Sequence, residues 1–102
     1  MNVADVLREA ADSSGVVSAD AAEGGRAYLV GDTTVAVASA DGSSAEFRLD
    51  PAVAAAAQRT PDTFASERGP DWVRFSPTEL NEHAIDRAVA WLGSAARRAR
   101  EG

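Results

Sequence analysis

The segment SAEFRLDP, residues 44–51, decides the fold. Its side chains alternate, with Ala45, Phe47 and Leu49 pointing one way and Glu46 and Arg48 the other. A strand turns every second side chain to the same side, so the pattern predicts a strand over 44–49 that is covered on one face and open on the other. Asp50-Pro51 then opens a helix, with Asp at the cap and Pro at the first helical position, where a missing N–H costs nothing. The run AVAAAAQR carries this helix to about Arg59, and Thr60-Pro61 stops it. Its alanines let it lie close on a sheet.

Upstream, RAYLV (26–30) and TTVAVAS (33–39) read as strands joined by a two-residue turn at Gly31-Asp32, and Asp41-Gly42 is a second hairpin signal. If Val35 and Val37 point to the core, Ala36 and Ala38 face outward. Residues 3–11, VADVLREAA, place Val3, Leu7 and Ala10 on one helical face, with Val6 and Ala11 beside it. Asn2 caps this helix and Asp5 meets the positive end of its dipole. Residues 13–25 read as a loop in which only Val16-Val17 fits a brief edge strand.

Downstream, a short strand fits Thr63–Ala65, and DWVRF follows the Gly69-Pro70 turn as a clear one. In it Val73 and Phe75 share one face, Trp72 and Arg74 the other. Ser76-Pro77-Thr78-Glu79 matches a capping box with Pro at the first helical position, and Asn81 is a rival cap one turn later. The last helix shows Ile85, Ala88 or Val89, Leu92, Ala95 or Ala96, and Ala99 at steps of three and four, flanked by Trp91. The order is α-β-β-β-α-β-β-α. It predicts an α+β fold, a two-layer domain with an antiparallel sheet and its helices on one face.

The bulk numbers fit a single domain over 1–102. Apolar residues make up 45% of the chain, enough for a core, but the Ala-rich share makes that core thin. There is no Cys, which excludes disulfides and thiolate chemistry. No apolar run approaches the roughly 20 residues that cross a bilayer, and the N-terminus lacks a signal-peptide pattern. The expectation is a cytoplasmic protein with no membrane partner. Net charge is −6, and all ten basic residues are Arg. Residues 1–50 hold nine acids against three Arg, and 51–102 hold seven of each. That balance opposes approach to phosphate backbones.

Three stretches carry a family resemblance: AYLVGDTTVAVA (27–38), FRLDPAVAAAA (47–57) and PDWVRFSPTELNEHAIDRAVAWLGSAARR (70–98). In this order the chain resembles the YjbR/MmcQ-like family of small bacterial proteins. It departs from the family at Ser13-Ser14-Gly15, where Leu-Pro-Gly is common, and at Thr33, where Lys is common. The resemblance implies a secretion-chaperone-like fold and no established activity. Family members are often described as DNA-binding, a description that rests on fold analogy.

The candidate binding surface is the open sheet face with Trp72, Arg74, Arg48 and Glu46. An exposed Trp beside Arg is the pairing that stacking interfaces use. The plainer reading packs Trp72 under the 60–69 loop and pairs Arg74 with Glu46 across strands. A nucleic-acid platform here would rest on Trp72 and Tyr28. Arg97, Arg98 and Arg100 form the one dense basic cluster, which reads either as compensation for a helix end or as a patch for phosphate or an acidic partner. His83 and Asp86 lie three apart on one helix, which makes contact easy and uninformative. Asp62, Glu67 and Asp71 lack the spacing of a calcium loop. No cofactor, metal site or catalytic constellation is expected. The reading is a non-enzymatic interaction module that binds an unidentified protein or a second copy of itself, with DNA binding as the alternative.

Overall fold

The computed structural model describes residues 1–101. Helix α1 spans Val3–Ser14, strand β1 Val17–Asp20, β2 Arg26–Val30, β3 Thr33–Ala38 and β4 Ala45–Arg48. Helix α2 spans Pro51–Ala57, β5 Thr63–Ala65, β6 Trp72–Phe75 and α3 Glu82–Glu101. The strands form one antiparallel sheet in the order β1-β2-β3-β4-β6-β5. The α+β architecture and one-sided helical layer follow the sequence reading, with one addition. The segment after Val16 is a full four-residue edge strand, β1, paired with β2.

Local chemistry explains the boundaries. Asn2 and Asp5 form a reciprocal capping box on α1, and Gly15 at φ 68° ends it in the left-handed region that glycine adopts freely. Asp50 accepts from Ala52 N at 3.0 Å, with Pro51 behind it, as the Asp-Pro pair predicts. Gly31 takes φ 59° at the first position of the two-residue β2–β3 turn.

Two local expectations are corrected. The β3–β4 connection around Asp41-Gly42 is a six-residue loop, two residues longer than the strands read from sequence leave between them. Asp41 accepts from Ser43 N (3.0 Å), Ser39 Oγ (2.8 Å) and Ser43 Oγ (2.8 Å), so its own side chain closes the loop. The backbone bond from Ser43 and the two hydroxyls pull its pKa down to about 2. The second correction is the start of α3. Asn81 Oδ1 accepts from Ala84 N at 2.9 Å, so the rival cap wins. Ser76 is already committed to the sheet end, where its N–H donates to Asp62 O at 2.9 Å.

The core lies on one side of the sheet. Tyr28, Ala36 and Ala38, Ala45 and Phe47, and Val73 and Phe75 are buried and aligned by register. They form one cluster with Val3, Val6 and Leu7 of α1, Ala54 and Ala57 of α2, and Ala84, Ala88, Leu92, Ala95 and Ala96 of α3. Ala36 and Ala38 therefore face inward, against the expectation for β3, although Val35 is in the core as expected. A bulge lets both share that side. Tyr28 pairs with Ala36 but Leu29 pairs with Thr34, so Val35 is an extra residue and is also turned inward, at 1% exposure. Val37 is left on the open side. In α3, Ala88 is buried and Val89 is 42% exposed. Among the described residues, no helix is long and apolar enough to cross a membrane.

The two cap candidates separate by mutation. Asn81→Ala should lower the unfolding free energy by about 1 kcal/mol. Ser76→Ala should stay within about 0.5 kcal/mol. Urea melts of both variants give the ranking, and the opposite order would place the working cap at Ser76.

Candidate functional site

The face away from the helices is ordered by strand register. One ladder row runs Ala19–Ala27–Val37–Glu46–Arg74–Phe64 across all six strands. Its β1–β3 half is small and apolar, with Val17 and Leu29 in the next row. Its β4–β6 half is charged and aromatic, with Arg48 opposite Trp72 beside it. The four residues chosen from the sequence, Glu46, Arg48, Trp72 and Arg74, are thus neighbours on one surface. Arg74 is exposed; the other three are half-buried.

The pairings within that surface differ from the sequence reading. Glu46 does not pair with Arg74. Its carboxylate accepts from Arg68 Nε at 2.9 Å and from the Ser66 hydroxyl, so the 66–69 turn folds back over β4. Arg68 then lies 5.4 Å above the Trp72 ring centre. Arg74 instead lies 5.2 Å from the ring centre of Phe64, which is 47% exposed on the edge strand. Each guanidinium–ring contact contributes about 0.5–1 kcal/mol at such exposure. Arg68 and Phe64 were missed in the sequence. The three-residue β5 gives no periodic signal, and turn residues reveal nothing about where they fold back. Tyr28 is removed from the surface altogether. It is fully buried in the core, and burial raises its phenol pKa.

Asp71 organises the end of this surface. Its Oδ2 accepts from Arg48 Nε at 3.0 Å and from Arg98 Nη1 at 3.1 Å. Burial raises the carboxyl's pKa, but the two guanidinium bonds outweigh it, so Asp71 sits below its ordinary 3.8.

Arg97, Arg98 and Arg100 do not form a patch. Arg98 turns inward to Leu49 O (2.7 Å) and Asp71, and Arg100 donates to Ser14 O at the free end of α1. Only Arg97 points to solvent without a hydrogen bond among the described residues. His83 is exposed at the start of α3, beside a cleft that also includes Asp62, Glu79 and Arg87. Among the described residues, no group of three or more His, Asp or Glu side chains converges as a metal site would require.

No protein-family model matches the chain, and no curated protein matches it. Among solved structures, it resembles a structural-genomics crystal structure of a protein from Pseudomonas syringae. The match has a TM-score of 0.63 at 12% identity, covering 90% of this chain and 96% of that one. At that identity the likeness speaks to the fold alone.

The Asp71 cluster has a pH signature. A carboxyl whose pKa is depressed in the folded state adds stability above its unfolded pKa, and loses it as pH falls through the folded value. At neutral pH, Asp71→Asn should cost about 1–2 kcal/mol, less than a buried charge pair because both Arg side chains are partly solvated. The gap between wild type and variant should close as pH drops below 3.8, the carboxyl's ordinary value. Thermal melts between neutral and acid pH measure it. A gap that persists in acid would remove the charge from the account.

Proposed function

We propose that this chain is a non-enzymatic interaction module that receives an extended, acidic segment of a partner protein across the open face of its sheet. The supporting observation is the ladder row from Ala19 to Phe64, which crosses every strand on the side opposite the helices. Small side chains on β1–β3 leave room for a backbone to approach. On β4–β6 the acidic excess of the whole chain is absent. Arg48, Arg68 and Arg74 stand against Glu46, Glu67 and Asp71, on a molecule whose net charge is −6. A partner with alternating apolar and acidic residues matches both halves. The resemblance to the YjbR/MmcQ-like family is compatible with such a module and names no ligand.

DNA binding is the second reading, favoured by two aromatic side chains close to arginines. Two features weigh against it. The guanidiniums already lie over the rings, so an incoming base has less free aromatic surface, while a carboxylate can still meet the outer edge of a guanidinium. The net charge of −6 also repels an oligonucleotide, with one charge per nucleotide, more than a peptide of equal length whose acids alternate with apolar residues.

Fluorescence anisotropy separates these readings. A labelled peptide of alternating Glu and Leu and a labelled single-stranded oligonucleotide of equal length are titrated at low and moderate salt. The expected result is preference for the peptide, weakened about tenfold, or 1.4 kcal/mol, by Arg74→Glu and by Trp72→Ala. Circular dichroism melts of both variants should stay cooperative. Tighter binding of the oligonucleotide with a steep salt dependence transfers the face to nucleic acid. A stable dimer by light scattering that Arg74→Glu dissolves assigns it to a second copy. Loss of folding in Trp72→Ala returns that residue to the core.

A further inference from the structure

The bulge in β3 has a consequence at the end of the sheet. Pairing between β3 and β4 begins at Ala36–Phe47, and Val35 is left without a ladder partner on β4. The space so opened is a cleft of about 200 Å³ lined by Thr33, Val35, Arg48, Ala95, Arg98 and Ala99. Its floor is apolar, with Val35 and Ala95 each 1% exposed. On α3 the small side chains of Ala95 and Ala99 leave the space beside Arg98 open.

The polar groups in this cleft are almost all donors. Arg48 is anchored to Asp71 through Nε, which leaves both Nη groups without an acceptor among the described residues. Arg98 is anchored through Nη1 to Leu49 O and Asp71, which leaves Nη2 and Nε. The Thr33 hydroxyl also has no partner among the described residues. Two guanidiniums share one carboxylate, so the cluster keeps a net positive charge. Both are held in place before any ligand arrives, which reduces the ordering cost of binding. Bulges are common beside functional sites, and the residue this one turns inward, Val35, lines the cleft with Arg48 and Arg98.

We infer that the cleft bounded by Arg48, Arg98 and Thr33 is a binding site for the oxyanion head of a small molecule, with tetrahedral phosphate as its chemical class. The cleft shares Arg48 with the edge of the open face, but the assignment does not rest on the open-face reading. Guanidinium forks supply the paired donors that such an oxyanion takes, and the cleft has room for a head group but not for a nucleoside.

The test is a ¹H–¹⁵N NMR titration of the whole chain with sodium phosphate at constant ionic strength, and in parallel with free phosphoserine. Saturable shifts at Thr33, Arg48, Ala95 and Ala99 are expected. Arg48→Gln, which removes the fork, and Ala99→Leu, which fills the cleft without touching a charge, should each weaken binding by about tenfold. Stronger binding of phosphoserine identifies a phosphomonoester as the natural ligand class, and equal binding identifies the free ion. Shifts that never saturate, that spread to Arg8 and Arg74, or that survive both variants would overturn the assignment. Arg48 is partly exposed, so its variant keeps the test valid if Ala99→Leu disturbs α3.

Discussion

Trp91 holds the two layers together. Its indole stands edge-on to Phe47 and Phe75, with ring centres 5.9 and 5.3 Å away. These contacts bind α3 to β4 and β6, the two strands at the middle of the charged half of the sheet. Edge-to-face aromatic pairs add about 0.5–1.5 kcal/mol beyond the area they bury. That increment matters because the other core positions of α3 are mostly alanines. Alanine lets the helix approach closely but removes little area from water, and the aromatic trio supplies volume where the helix and sheet would otherwise leave a gap.

A thin core shifts work to the arginines. Arg87 donates to Pro61 O at 2.8 Å, Arg98 to Leu49 O at 2.7 Å, and Arg100 to Ser14 O. Each bond ties α3 to a different junction: the approach to β5, the start of α2 and the end of α1. Charge-assisted bonds to these carbonyls satisfy backbone groups that a small domain must leave near its surface, Pro61 O sharing its own with the Thr63 hydroxyl. The apparent basic tail is thus a set of tethers, and the stems of these side chains cover apolar surface as well. This arrangement also explains how a chain rich in Arg lacks a continuous positive surface.

The layer plan was legible because β4 and β6 alternate without ambiguity, and because Asp50-Pro51 and Asn2 with Asp5 mark helix starts that local hydrogen bonds then fulfil. The four open-face residues followed from the same alternation. What escaped the sequence depends on long-range geometry. Asp71 meets Arg98 across 27 positions and Glu46 meets Arg68 across 22. Nothing in local spacing distinguishes these partners from the Arg74–Glu46 pair that direct cross-strand logic favours. Ser76 and Asn81 are both competent caps, and the choice fell to Asn81 because the Ser76 backbone is held by Asp62.

The orientation of β3 shows why alternation alone was insufficient there. In TTVAVAS both faces are small and apolar, so either direction satisfies a period of two. Neighbouring volume decides. Ala36 lies in register between Tyr28 and Phe47, two large side chains that already fill the inner face. A valine between them would crowd the approach of α3, whereas alanine leaves the helix its close contact. Once Ala36 and Ala38 are inside, Val35 would face solvent in a regular strand. The bulge lets it turn inward too, at the cost of one ladder position on each side. The same local solution gives the open face its Val37 and separates β3 from β4 beside Arg48. Packing on the covered side of the sheet therefore shapes both surfaces at which a ligand could be held.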